Sequence, residues 1–236
     1  MAFKDGDFLE IEYSAWNASD SRLIATTNSE AAKKADLFSE KGRYGPVLVI
    51  LGSNGVIKGL DRELRGMELN DAKKFTFKPE DAFGARMENL VRVMPMSNFR
   101  AREIDPQPGM QVNIDDMTAV VKSVNSGRVV VDANHPYAGR DVTYEVKIVK
   151  VLNTEKERLE ALGDNYNVKP SSADINNREA EILFDSKIKK DADYFLGKAS
   201  LVASAFNYLP TLDRIVVKEE YTRPKATVNQ EGKDNE

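Results

Sequence analysis

The segment FLEIEYSAW (residues 8–16) alternates apolar and polar positions and puts Leu9, Ile11 and Tyr13 on one face, the pattern of a half-buried strand. The turn cluster NASDS separates it from SRLIATTN, which reads as the far strand of a hairpin. SEAAKKADLF predicts a short helix capped by Ser29 or Asn28. GPVLVILGSNG predicts a buried strand closed by a Gly/Asn turn. VIKGLDRELRGMELND carries Leu60, Leu64 and Met67 at helical spacing, with Gly66 near the end. AKKFTFKPEDAFG alternates as a strand until Pro79 breaks it.

The texture changes at about residue 86. PMSNFRAREIDPQPGMQV holds three prolines and a glycine, and MTAVVKSVNSGRVVVDAN predicts two strands joined tightly at Asn125-Ser126-Gly127. RDVTYEVKIVKVL is then a strongly alternating strand, with Val142, Tyr144, Val146, Ile148 and Val151 among its apolar members. Beyond residue 153, TEKERLEALGDNY predicts a polar helix stopped by its glycine, and REAEILFDSKI a strand. DADYFLGKASLVASAFNYLP repeats Phe195, Ala199, Val202, Phe206 and Leu209 every three or four residues until Pro210. LDRIVVKEEYTR is a last strand, and KATVNQEGKDNE a polar, disordered tail.

Composition removes whole classes of chemistry. The chain has 236 residues, 41% hydrophobic and 31% charged, as expected of a soluble globular protein. It has no cysteine and one histidine, His135. Disulfides, thiol nucleophiles and cysteine-based metal sites are therefore excluded, and neither a metal nor a cofactor is expected. A net charge of −4 gives no general attraction to nucleic acid or anionic membrane. No stretch nears the roughly 20 apolar residues that span a bilayer. The N-terminus lacks the apolar core of a signal peptide, so a cytoplasmic location is expected.

Three segments, in this order, resemble FKBP-type peptidyl-prolyl isomerases, the SlyD group and its long archaeal members above all. GVIKGLDRELRGM is similar to the turn that leads into the family's single helix. KPEDAFGAR is similar to its Pro-Glu-x-Ala-Tyr-Gly segment. VDANHPYAGRDVTYEVKIVKV is similar to its Asp-x-Asn-His element and final strand. The resemblance covers residues 1 to about 152. It implies an α+β fold: an antiparallel half-barrel around one helix (1–85 plus 132–152), with a small, mainly β insert in the flap (86–131). A C-terminal α/β domain (153–225) and the tail (226–236) would follow.

The implied activity, rotation about X–Pro bonds, suits such a composition. The planar amide sets a barrier of ~18–20 kcal/mol, and no bond is broken, so an apolar pocket that disfavours the polar planar form suffices. By resemblance Tyr13, Ile24, Val47, Val49, Val56, Ile57, Leu60, Phe83 and Tyr144 line that pocket, and His135 sits at its rim. Two polar groups of the family are missing. Ala25 stands where an aspartate accepts from the tyrosine equivalent to Tyr13, and Phe83 where a tyrosine is frequent. Asp20, in the hairpin turn, is the alternative acceptor. Reduced activity is expected.

In the insert, Leu90, Val91, Val93, Met94, Met96 and Phe99 lie close together. They read either as an adaptable surface that captures unfolded chains or as that small domain's core. The helix from Phe195 to Leu209 reads either as local core or as a homodimer face. The expected partners are unfolded or nascent polypeptides that contain proline. The rival to an isomerase with a chaperone insert is a non-catalytic holdase of the same fold. The tail has no histidine, so the SlyD group's nickel-binding tail is not expected.

Overall fold

The computed structural model describes residues 3–115, 117–185 and 191–221. The expected tail at 226–236 and the Ser-Lys-Ile end of the strand predicted at 178–188 lie outside the described residues. Before the insert come β1 (Phe8–Asn17), β2 (Leu23–Thr26), α1 (Ser29–Lys34), β3 (Val47–Ile50), α2 (Lys58–Leu64) and β4 (Ala72–Phe77). The insert carries β5 (Val91–Pro95), α3 (Met96–Arg100), β6 (Gln111–Ile114), β7 (Met117–Asn125) and β8 (Arg128–Asp132), and β9 (Val142–Leu152) follows it. Then come α4 (Glu155–Asn165), β10 (Ser172–Asn176), β11 (Glu179–Phe184), α5 (Ala192–Tyr208) and β12 (Arg214–Glu219). The described residues form two compact units. One holds the chain up to Asp5 and Glu10–Lys150; the other holds Gly6–Leu9 and the chain from Val151.

The first unit contains the antiparallel half-barrel, in the order β2-β1-β9-β4 with β3 paired to β1. Alternation along β9 turns Val142, Tyr144, Val146 and Ile148 inward, each 7% exposed or less. Helix α2 lays Leu60 and Leu64 into the same core. Gly59 lets it settle there, because a Cβ at that position would collide with the ring of Phe77. α1 is capped by Asn28, whose Oδ1 accepts from Ala31 N at 2.9 Å.

The insert is a four-stranded sheet in the order β5-β8-β7-β6. Ser126 and Gly127 both take positive φ between β7 and β8, as a two-residue hairpin turn requires. Val129 and Val131 of β8 are buried with Phe99, Val112 and Val121. β6 is a strand that the proline-rich sequence around it conceals.

In the second unit, β10 pairs antiparallel with β11, and β11 parallel with β12. A parallel pair needs a long crossover, which α5 provides. Phe8 belongs to this unit, its ring edge-on to Tyr208 and beneath the guanidinium of Arg158.

Two expectations need correction. Gly163 does not stop its helix, since α4 runs on to Asn165. The glycine serves close packing instead, because a Cβ there would lie 2.8 Å from Pro170 Cδ. On α5 the stripe expected as local core faces outward: Phe195 is 49% exposed and Phe206 45%. The buried side is Tyr194, Gly197, Leu201 and Ala205, with Leu209 of the expected stripe alone joining the core just after the helix. The apolar spacing was sound, but both faces of this helix are apolar, and spacing does not rank them.

The packing of α2 on β4 gives a direct test. Gly59→Ala should destabilise the protein by about 1–3 kcal/mol through overpacking against Phe77, despite alanine's better helix propensity. Urea unfolding measures it, and an unchanged midpoint would contradict the close contact.

Candidate active site

A cavity of about 860 Å³ opens on the concave side of the half-barrel. Its floor is Leu60, 1% exposed, rising from the first turn of α2. Val47 and Val49 reach it from β3, Val56 and Ile57 from the turn before α2, Tyr13 from β1, Tyr144 from β9 and Phe83 from the segment after β4. Eight of the ten residues expected at the pocket thus line one hollow.

The other two lie elsewhere. Ile24 is half-buried on β2, at an irregularity in its pairing with β1, and does not line the hollow. A bulge re-aims the side chain it displaces, and no residue pattern in SRLIATTN announces one. His135 stands at the rim, its ring stacked on Phe83 at 4.2 Å and 10°. Leu48 and Ala82, ordinary apolar letters with no motif to mark them, and the polar Asn54 and Lys58 also line the hollow and were not foreseen there.

Each wall is fastened from behind by polar contacts. The loop after β3 is tied to α2 where Gly52 N donates to Asp61 Oδ1 at 2.9 Å, and Asp61 also pairs with Arg65 at 2.5 Å. The Phe83 segment is held by a two-pronged ion pair between Arg62 and Asp81, 3.0 Å on each arm. Tyr13 is held through its backbone, which donates to Thr27 Oγ1 and accepts from Thr27 N.

Within the hollow the polar groups are few. The rings of Tyr13 and Tyr144 lie 5.6 Å apart, and Phe77 meets Tyr144 edge-on at 6.0 Å. Burial pushes the Tyr13 hydroxyl up, and pushes that of Tyr144 up to about 12 with Tyr13 adding to the effect. Ala25 pairs with Ala15 across the hairpin, on the side of β1 that carries Tyr13, and supplies no acceptor. Asp20 does not replace it, because Asp20 Oδ1 accepts from Arg22 N within its own turn.

Both crossings between barrel and insert meet at one clamp. Asn134 Oδ1 accepts from Met87 N at 2.8 Å, and its Nδ2 donates to Met87 O at 2.9 Å. Asp132, 3% exposed, accepts from Asn134 N, Asn134 Nδ2 and Arg86 Nη2. Burial raises the Asp132 carboxyl, but these donors outweigh it and hold the group below the usual carboxylate range. Arg86 and Asp132 lie in the segments KPEDAFGAR and VDANHPYAG that carry the resemblance, but sequence reasoning gave neither a role, because their pairing spans 46 positions.

The insert residues do not share one surface. Phe99 is buried at 4%, and Met94 and Met96 are partly buried against the same core. Val93 is 62% exposed on the other side of β5, and Leu90 sits at the junction, its carbonyl accepting from Ala133 N. Met94 and Phe99 border an apolar cleft of about 180 Å³ with Ile104, Val112 and Ile114. A larger groove of about 610 Å³, lined by Glu12, Trp16, Glu30 and Lys147, is polar and offers no dry surface to an amide.

Comparison with known proteins agrees with this geometry. Residues 92–137 match the family model described as FKBP26, IF domain. The chain is 29% identical over 154 residues to a short-type peptidyl-prolyl cis-trans isomerase of Methanocaldococcus jannaschii, covering 65% of this chain and 97% of the relative. It is 34% identical over 118 residues to the FKBP-type isomerase SlyD of Vibrio cholerae, covering 48% of this chain and 58% of that protein. It is 30% identical over 111 residues to a probable FKBP-type 16 kDa isomerase of Pseudomonas fluorescens, covering 45% of this chain and 73% of the relative. With likeness of this extent on a half-barrel of this form, the chain belongs to the FKBP-type peptidyl-prolyl cis-trans isomerase family.

Proposed function

We propose that this protein turns X–Pro bonds in unfolded or nascent chains inside the barrel hollow, and that the insert captures those chains. The observation that carries the reading is the largely apolar hollow that gathers Tyr13, Val49, Ile57, Leu60, Phe83 and Tyr144. A planar X–Pro amide is polar, because resonance places charge on its oxygen and nitrogen. Twisting removes that resonance and the polarity with it. A dry aliphatic and aromatic wall therefore disfavours the planar states relative to the twisted one, and each ~1.4 kcal/mol of that preference is tenfold in rate. Neither a metal nor a cofactor enters such a mechanism.

For the insert, the cleft beside Met94 and Phe99 supports capture, since it is apolar and bordered by an adaptable methionine. Phe99 acts there as core and only its edge as surface. The second reading, a holdase without catalysis, is favoured by one observation: neither Ala25 nor Asp20 supplies an acceptor to Tyr13. Among the described residues no helix is long and apolar enough to cross a membrane, and we place the activity on cytoplasmic chains. The outward stripe of Phe195, Leu196 and Phe206 suits a second copy of the same helix.

His135 couples the rim to pH. Packing on Phe83 shields one face of its otherwise exposed ring from water and lowers its pKa below the usual value. The unfolded chain then takes up the proton first. The stack's contribution to stability is complete above about pH 6.5 and is lost as pH falls through the lowered folded value.

Acceleration of a proline-limited refolding reaction at substoichiometric protein is expected. Protection from aggregation only near equimolar amounts, without acceleration, would establish the holdase. Ala25→Asp should raise kcat/KM about fivefold, the equivalent of roughly 1 kcal/mol of orientation; an unchanged rate would show that the carboxylate is irrelevant. Between pH 7 and 5 the wild type should lose more unfolding free energy than His135→Phe, which keeps the ring and removes the titration. Equal losses would dissociate the histidine from stability. In sedimentation at micromolar concentration the wild type should be a dimer and Phe195→Glu a monomer; a monomeric wild type refutes the α5 interface.

A further inference from the structure

Every inward residue of β9 in the first unit is aliphatic except one. Val142, Val146 and Ile148 are at most 1% exposed, and Tyr144, at 7%, carries a phenolic hydroxyl into the same company. A hydroxyl withdrawn from water without a partner destabilises the fold, so buried ones are normally hydrogen-bonded. Among the described residues no donor or acceptor reaches Tyr144 Oη; its neighbours are the rings of Tyr13 and Phe77. Of the surrounding wall, Leu60, Ile57 and Val49 are aliphatic and Phe83 has no hydroxyl, and the polar side chains that also line it, those of Tyr13, Asn54 and Lys58, make no hydrogen bond to Tyr144 Oη. The group stays protonated throughout the physiological range and is therefore a standing donor on the wall of a hollow large enough for a peptide segment.

We propose that Tyr144 Oη donates a hydrogen bond to a substrate backbone carbonyl that flanks the rotating X–Pro amide, and so fixes the register of the chain in the hollow. The inference rests on the reading of that hollow as the prolyl site. The choice of a flanking carbonyl follows from the chemistry of rotation. A donor on the rotating amide's own oxygen would favour the planar form, where that oxygen carries most charge, and would slow the twist. A donor on a neighbouring carbonyl binds planar and twisted states equally. Such uniform binding lowers KM and leaves kcat alone. The tyrosine thus does on β9 what neither Phe83 nor Ala25 is able to do from its own position.

The test uses the full chain, Tyr144→Phe, and a proline-containing tetrapeptide, with two matched peptides in which the carbonyl on either side of the X–Pro amide is reduced to a methylene. Tyr144→Phe should raise KM about tenfold, or ~1.4 kcal/mol, keep kcat within about twofold, and leave the thermal midpoint unchanged or higher. Wild type should lose the same factor with one reduced peptide, and Tyr144→Phe should lose nothing further with that peptide. Equal responses of the two proteins to both reduced peptides would overturn the hydrogen bond while leaving the isomerase reading intact. A rise in kcat together with KM would place the hydroxyl on the rotating amide's own oxygen, and a fall in kcat at constant KM would make it a contact of the twisted state; either result also overturns the proposal. If neither protein accelerates isomerisation of the intact peptide, the prolyl-site reading fails and this inference fails with it.

Discussion

Apolar concavities tend to close, because each wall gains by covering the others. A hollow of about 860 Å³ lined by Leu60, Ile57, Val49 and Phe83 persists only if its walls are held apart by something other than their own attraction. In this protein the restraint is polar and lies behind the walls. The Arg62–Asp81 pair sets the distance between α2 and the Phe83 segment, and Asp61 bridges α2 to the loop after β3. Exposed ion pairs contribute little to stability as a rule, but a two-pronged guanidinium–carboxylate contact fixes direction as well as distance. The separation of roles is clear: ion pairs behind the walls position the frame, and the lining they hold apart is largely apolar.

The same division appears where the chain leaves the barrel and returns. Asn134 treats the backbone of Met87 as a neighbouring strand would, donating to its carbonyl and accepting from its amide. Asp132 receives the remaining donors on a side chain almost fully removed from water. A buried carboxylate with three donors is stable only while all remain in place, so the clamp defines one arrangement of the two crossings. Phe83, stacked on His135 just beyond that clamp, links the junction to the rim of the hollow.

Much of the fold was legible in local pattern. Alternation gave β1, β4 and β9, the Asn28 cap marked α1, and Ser126-Gly127 marked the β7–β8 turn. These follow from interactions between near neighbours, which a sequence window contains. The strands β6 and β10 were missed because four or five residues beside prolines and polar letters carry too little pattern. On α5 the period was read correctly and the buried face wrongly, since Phe195 and Leu201 are equally apolar and only the sheet beneath decides between them.

By itself the sequence excluded thiol chemistry and cysteine-based metal sites, and its strand periods set where apolar faces could form. Tertiary structure alone decided which of those faces enclose a hollow, why Ile24 lies outside it, and that Tyr144 brings a hydroxyl into it without a protein partner among the described residues. The reason is range. Period and capping are settled within a few residues, whereas an enclosed space is made by segments as far apart as Tyr13, Leu60 and Tyr144, whose meeting depends on the whole sheet curling around α2.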